Sequence, residues 1–326
     1  MKTLLFTIIT LLMFSATVAA NSLSSLSELN SRAKERTNAV ARVKLIEGEA
    51  DIFKDLEMAE PKLTPNYLRA LGNLPKTVKP FDKLVKTTLY GGTLAPETKL
   101  AMGLRIAQKA HSSYVATHLQ RLLRSSDKGE KLLQQLLLGK LDELSVAEQL
   151  AIEFAENLTA DIAAIKDEDF KKIRQYYNDS QIVELTLVVC FFNYFDRLCE
   201  GLNLPVEQWA LDNPVAKVGV EKREDYAARV GLISDEEIEA VGKVVTASKE
   251  QTAGSLGLGV ANSQRAMLRV PDIAMSWRNY WSAVREYSSV SREIKLQVSF
   301  AVSMANGCRY CTLHQVLGLR KLGVPI

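Results

Sequence analysis

Glu293-Ile-Lys-Leu-Gln-Val-Ser-Phe-Ala-Val-Ser-Met-Ala-Asn-Gly-Cys-Arg-Tyr-Cys-Thr-Leu-His314 is the stretch on which the fold turns. Ile294, Leu296, Val298, Phe300, Ala301, Val302 and Met304 make a segment that is apolar almost all round, which predicts a buried helix. Asn306-Gly307 reads as its stop, because Gly and Asn accept the left-handed conformation that ends helices. A second helix then begins at once, with Cys308 and Cys311 in its first turn. A spacing of three puts both sulfurs on one face and within disulfide reach, and His314 lies three residues further along that face.

Working outward, the same grammar recurs. Ser145-Val-Ala-Glu148 and Ser234-Asp-Glu-Glu237 are capping boxes, each opening a segment with apolar residues at helical spacing. Ile182, Leu185, Val188 and Val189 supply another apolar face, and no stretch shows sustained strand alternation. The fold class is all-α.

The chain also resembles itself. A shift of 196 residues pairs Glu97-Thr-Lys-Leu100 with Glu293-Ile-Lys-Leu296, Tyr114 with Tyr310, His118 with His314, and Leu123-Arg124 with Leu319-Arg320. Upstream it pairs Asn66 with Asn262, Arg69-Ala70 with Arg265-Ala266, and Pro75 with Pro271. Ala41-Arg-Val-Lys-Leu-Ile46 matches Ala228-Arg-Val-Gly-Leu-Ile233 at a shift of 187, which implies a short insertion in the second copy. These pairs predict two tandem helical bundles. Repeat one spans 41–212 and repeat two 228–326, with a 21–40 lead-in and a 213–227 linker carrying Asn213-Pro214 and the charged run Glu221 to Asp225. Repeat two has no counterpart of Lys131 to Leu204, so it reads as C-terminally incomplete. It is expected to dock on repeat one or another subunit, burying Val298, Phe300 and Val302. Ser112 and Val115 occupy the thiol positions of repeat one, which therefore reads as a degenerate, structural copy.

The 326 residues are 47% hydrophobic and carry a formal charge of +3, with acids and bases interspersed. That is enough apolar matter for folded domains, and it lacks the concentrated basic face that nucleic-acid binding requires. Lys2, the apolar run Leu4 to Phe14, and small residues ending at Val18 and Ala20 form an export signal over residues 1–20, cleaved before Asn21. The expected location is secreted or periplasmic, with no membrane attachment after cleavage. Cys190 and Cys199, nine apart on opposite helix faces, read as buried small hydrophobes. Trp277 and Trp281, four apart, read as core or interface residues.

A C-x-x-C pair at a helix start points to redox chemistry, since the unpaired N–H groups and helix dipole there stabilise a thiolate. His314 is placed to take or return a proton. A zinc site built on Cys308, Cys311 and His314 lacks an evident fourth ligand, and a purely structural disulfide is the other alternative.

Asn306-Gly-Cys-Arg-Tyr-Cys-Thr-Leu-His314 after an apolar helix resembles the motif of the alkylhydroperoxidase D-like, or carboxymuconolactone decarboxylase, superfamily. Leu144 to Leu204, with Phe191-Phe-Asn-Tyr-Phe-Asp-Arg197, is similar to the helices that follow the motif in peroxidase-related members. The resemblance implies helical bundles that assemble into homo-oligomers, a hydroperoxide substrate, a thiol or dithiol reductant, and no cofactor. It makes Cys311 the attacking thiol, Cys308 the resolving one and His314 part of the proton relay; helix position alone favours Cys308 as the more acidic. The family's relay glutamate usually lies twelve residues before the first cysteine, where this chain has Leu296; Glu293, one turn earlier, is the candidate substitute. The family's usual histidine position, four after the second cysteine, holds Gln315. A decarboxylase-like enzyme and a non-catalytic helical module are the competing readings.

Overall fold

The computed structural model describes residues 26–58, 63–161, 166–211, 230–240, 262–287 and 289–324. The signal segment and the 213–227 linker lie outside them. Among the described residues the chain is all helix and turn, without a strand. The helices are α1 Leu26–Arg36, α2 Asn66–Leu71, α3 Pro75–Tyr90, α4 Pro96–Lys109, α5 Ser113–Leu123, α6 Asp127–Leu138, α7 Val146–Ala160, α8 Asp167–Ile173, α9 Asp179–Gly201, α10 Asp235–Ala240, α11 Asn262–Met267, α12 Pro271–Glu286, α13 Arg292–Ala305 and α14 Arg309–Lys321. None of them is long and apolar enough to cross a membrane.

Local chemistry sets the boundaries. Ser145 and Glu148 form the reciprocal capping box that opens α7, and Ser234 and Glu237 make the same pair of bonds at α10, 2.6 and 3.2 Å. Pro75 and Pro271 sit at the first position of α3 and α12, where a missing N–H costs nothing. Gly307 takes φ +63°, ending α13 in the left-handed turn its sequence predicts.

The centre of the molecule is α4. It is covered by α5, α7 and α9, and every residue from Thr98 to Lys109 is buried. Burial on that scale forces its charges to pair. Lys99 Nζ meets Glu184 Oε1 of α9 at 2.5 Å, and Arg105 Nε meets Glu156 Oε1 of α7 at 2.5 Å. Glu184 also accepts the N–H groups of Thr93 (2.8 Å) and Leu94 (3.2 Å), so the loop leading into α4 is tied to α9.

The stretches matched at a shift of 196 share their construction. The bounds of α2, α3 and α4 plus 196 are those of α11, α12 and α13. Arg69 Nε donates to the carbonyl of Ile46 (2.8 Å) and Arg265 Nη1 to that of Ile233 (3.0 Å), the isoleucines matched at a shift of 187. Lys99 Nζ donates to the carbonyl of Gly91, and Lys295 Nζ to that of Tyr287. His111 holds φ +56° where Gly307 holds +63°.

The second stretch reaches the first through α12, which packs antiparallel on α3. Lys76 at the start of α3 pairs with Glu286 at the end of α12, 3.4 Å apart. Between them Phe81 lies 5.0 Å from Tyr280, and the Tyr194 hydroxyl of α9 is 2.5 Å from that of Tyr280. Trp277 is buried here; Trp281 stacks on it at the edge.

Within the single chain two expectations from sequence are not met. Helices α13 and α14 pack chiefly on each other, and the face of α13 is left open: Val298 is 58% exposed, Val302 49%, and Phe300 is only half-buried. The matching helix α4 is buried because α7 and α9 lie on it, and no described helix stands in their place over α13. Cys190 is the second correction: it is exposed on α9, while Cys199 is buried as expected.

Candidate functional site

The dithiol forms at the junction of two helices. Gly307 turns the chain, the Cys308 N–H donates to the carbonyl of Ser303 (3.0 Å), and Cys308 becomes the N-cap of α14. Its Sγ accepts from the Cys311 N–H at 3.3 Å, the bond a Ser or Asp side chain makes at an N-cap. The two sulfurs are joined as a disulfide across a Cα–Cα separation of 5.4 Å. Both cysteines are half-buried, and His314 follows one turn later, also half-buried. The side chain of Tyr310 lies outside the described residues.

The structure does not bring Glu293 to this group. It stands in the first turn of α13, with most of that 14-residue helix, about 18 Å, between it and the dithiol turn. There it accepts a hydrogen bond from Gln297 Nε2, 3.1 Å. Its counterpart Glu97 also lies at the far end of its helix, accepting from the N-cap hydroxyl of Ser126 at 3.0 Å. Leu296, at the family's glutamate position, lies against Gly318 of α14.

In the first stretch the positions matched to the thiols hold a different kind of site. Ser112 caps α5, and its hydroxyl also donates to Glu200 Oε1 at 3.0 Å. Arg36 pairs with the same carboxylate. Asp196, one turn before Glu200, is fully enclosed; burial pushes its carboxyl well above the usual carboxylate range. Burial and these neighbouring carboxylates push the Cys199 thiol up as well, so Cys199 is a neutral core residue.

One turn along α5 a tighter network begins. Glu207 follows α9 and precedes a short 3₁₀ turn, Gln208–Ala210. Its Oε1 accepts the Tyr114 hydroxyl (2.8 Å) and the Asn66 N–H, and its Oε2 accepts from His118 Nε2 (2.9 Å). Burial acts to raise the Glu207 carboxyl, but His118 and these hydrogen bonds hold it below the usual carboxylate range. Because Tyr114 donates to Glu207, its oxygen is free to accept the Tyr67 N–H, 3.2 Å. His118 and Trp209 meet edge to face at 5.3 Å, and Arg121 lies over the Trp209 ring at 4.8 Å. Together they border a cavity of about 80 Å³ whose walls are otherwise apolar, including Tyr67, Leu119, Phe191 and Phe195.

Sequence reasoning matched His118 and Tyr114 to His314 and Tyr310 at a shift of 196 but read them as structural, and it gave no sign of Glu207, Glu200 or Asp196. These reach the site from about 90 residues away, and their surroundings, Pro205-Val-Glu207 and Phe195-Asp196, carry no local pattern. Among the described residues no cluster of three His, Cys, Asp or Glu is arranged to hold a metal ion.

The chain matches no protein-family model and no curated protein. Among solved structures it is similar to an uncharacterized peroxidase-related protein from Silicibacter sp. TM1040, at 20% identity and a TM-score of 0.43 over 52% of this chain and 98% of that one. It is similar also to the debrominase Bmp8, as a Cys-to-Ala variant in complex with 2,3,4-tribromopyrrole (17% identity, TM-score 0.44, 52% of this chain and 96% of that one). The apo form of Bmp8 gives 16% identity and a TM-score of 0.40, over 60% of this chain and 97% of that one.

Proposed function

We propose that this chain is an exported thiol oxidoreductase that reduces hydroperoxides through Cys308 and Cys311. One observation carries the reading: the two sulfurs are bonded across the first turn of α14, half-exposed, with His314 one turn on. In the reduced form a thiolate attacks the distal peroxide oxygen. An S–O bond forms, the O–O bond breaks, sulfur is oxidised by two electrons, and His314, having taken the thiol's proton, returns it to the alkoxide, which leaves as an alcohol. The second thiol then attacks the sulfenic sulfur, releasing water and forming the disulfide. An external thiol or dithiol reductant reopens it by exchange. Glu293 stands outside this scheme, at the other end of α13.

The same reading takes 41–212 and 228–326 as two copies of one bundle, supported by the shared helix bounds and by the recurring Arg–Ile and Lys–carbonyl bonds. The first copy, with Ser112 and Val115 in the thiol positions, runs no disulfide cycle. The exposed apolar residues of α13 support assembly of the chain into a homo-oligomer.

The test is peroxide-dependent turnover of the mature chain with monothiol and dithiol reductants. Turnover lost in both Cys308→Ser and Cys311→Ser supports the reading, as does the loss of two free thiols together on adding peroxide. Undiminished turnover in either variant, or thiols lost singly, overturns it.

A further inference from the structure

We propose that Arg278, Arg285 and Arg292 hold a phosphate group at the corner between α12 and α13. Their placement follows from the two helices. Arg278 and Arg285 are seven apart on α12, which puts them on one face, two turns from each other. Arg292 opens α13. Lys295, one turn later, fastens that turn to the end of α12, its Nζ donating to the carbonyls of Arg285 (3.3 Å) and Tyr287. The three guanidiniums are gathered closely enough to feel one another: partial burial and the like charges of Arg278 and Arg292 hold the Arg285 group below its usual range.

The acids beside these arginines in sequence serve elsewhere. Glu286 pairs with Lys76 (3.4 Å), and Glu293 accepts from Gln297 (3.1 Å). Among the described residues the guanidiniums of Arg285 and Arg292 meet no hydrogen-bond or ion-pair partner, and both residues are exposed. The cluster belongs to the second stretch alone, since Asp82, Leu89 and Pro96 stand at the positions matched by a shift of 196. Like charges gathered in this way repel, and an anion that joins them relieves the repulsion. The arginine fork then narrows the anion. Each guanidinium offers parallel N–H groups matched to a pair of oxygens. A halide has no such pair, and a carboxylate has one pair and one charge, which a single arginine satisfies. A phosphate monoester has three free oxygens and a charge of about −1.5 to −2 near pH 7, enough for several forks at once.

This inference is independent of the dithiol, and its test does not use turnover. The mature chain, labelled with ¹⁵N-arginine, is titrated with inorganic phosphate and, at equal ionic strength, with acetate. The Nε signals of Arg285 and Arg292 are assigned by single substitutions. Phosphate is expected to shift both saturably and to bind about tenfold more tightly than acetate. Arg285→Gln and Arg292→Gln should each weaken phosphate about tenfold, as for a lost hydrogen bond to a charged group, with helical content unchanged. Vesicles of phosphatidylcholine with and without phosphatidic acid separate the two sources of such a group. Cosedimentation that needs phosphatidic acid and is displaced by inorganic phosphate assigns a lipid headgroup, and its absence assigns a free phosphate or soluble monoester. Equal affinity for phosphate and acetate, a non-saturable response, or saturable binding that leaves both arginine signals unmoved would each overturn the proposal. These three outcomes are read on the unmodified chain, so they hold even where a variant fails to fold.

Discussion

At the scale of single residues, the cap bond at Cys308 makes a claim about acidity. The N–H of Cys311 that reaches Cys308 Sγ would remain in place after reduction and donate to a thiolate. Cys308 is therefore expected to be the more acidic thiol, with an alkylation midpoint in Cys311→Ser well below the free-thiol value of about 8.5; a midpoint at or above it would remove the case for an activated thiol at Cys308. The two matched histidines should differ in consequence. His314→Ala is expected to lower peroxide turnover by about 10²-fold, as for a lost acid–base group, whereas His118→Ala leaves it nearly unchanged; equal losses would mean that both halves serve one reaction. Asp196 supplies a pH prediction. Its folded carboxyl is pushed up by burial, so the native state holds a proton that the unfolded chain releases above about pH 4. Stability attributable to Asp196 therefore falls as pH rises from there. Asp196→Asn should raise the urea midpoint more at pH 8 than at pH 4.5, and a pH-independent effect would contradict the assignment. The dithiol and histidines were legible in the sequence because their geometry follows from spacing along one helix. Glu207, Glu200 and Asp196 were not, because their partners are brought to them only by the packing of α9 against α4 and α5.

Among the elements, α4 and α13 show how far a helix is specified by its own residues. Spacing and the Asn306-Gly307 stop set the length of α13, which came out as read, and α4 takes the same length 196 residues earlier. Burial did not, because an apolar stripe states that something should cover it without stating what. Lys99 and Lys295 show the difference in one residue type. Each ammonium binds a carbonyl at the end of the preceding helix, but Lys99 is sealed under α9 against Glu184, whereas Lys295 is half-buried. Removing one partner of a buried ion pair leaves the other charge uncompensated. Lys99→Met is therefore expected to cost about 3–5 kcal/mol, and Lys295→Met less than about 1 kcal/mol. Chemical denaturation of the two variants compares them directly, and similar losses would show that the surroundings of α13 match those of α4.

For the whole molecule, α3 against α12 is the joint between the two halves, and Trp277 and Tyr280 are buried there. Residues 228–326 alone would expose that face together with Val298 and Val302, so the fragment is expected to aggregate while the mature chain stays in solution as an oligomer. Val298→Asp should shift sedimentation of the mature chain toward the monomer without changing its helical content; an unchanged sedimentation coefficient would exclude this face from assembly. The all-α class was legible in the sequence. The partnership of α3 with α12 was not, since aromatic side chains at an interface look the same as those in a core. That partnership has a consequence for how the halves may change. Two identical subunits meeting through such helices would both alter with every mutation and would part on dilution. Joined in one chain, the helices face each other at an effective concentration of about millimolar or more, whatever the protein concentration. The pairing is then indifferent to abundance, and on the proposed two-copy reading its symmetry can break, the thiols standing in one stretch and Ser112 and Val115 in the other.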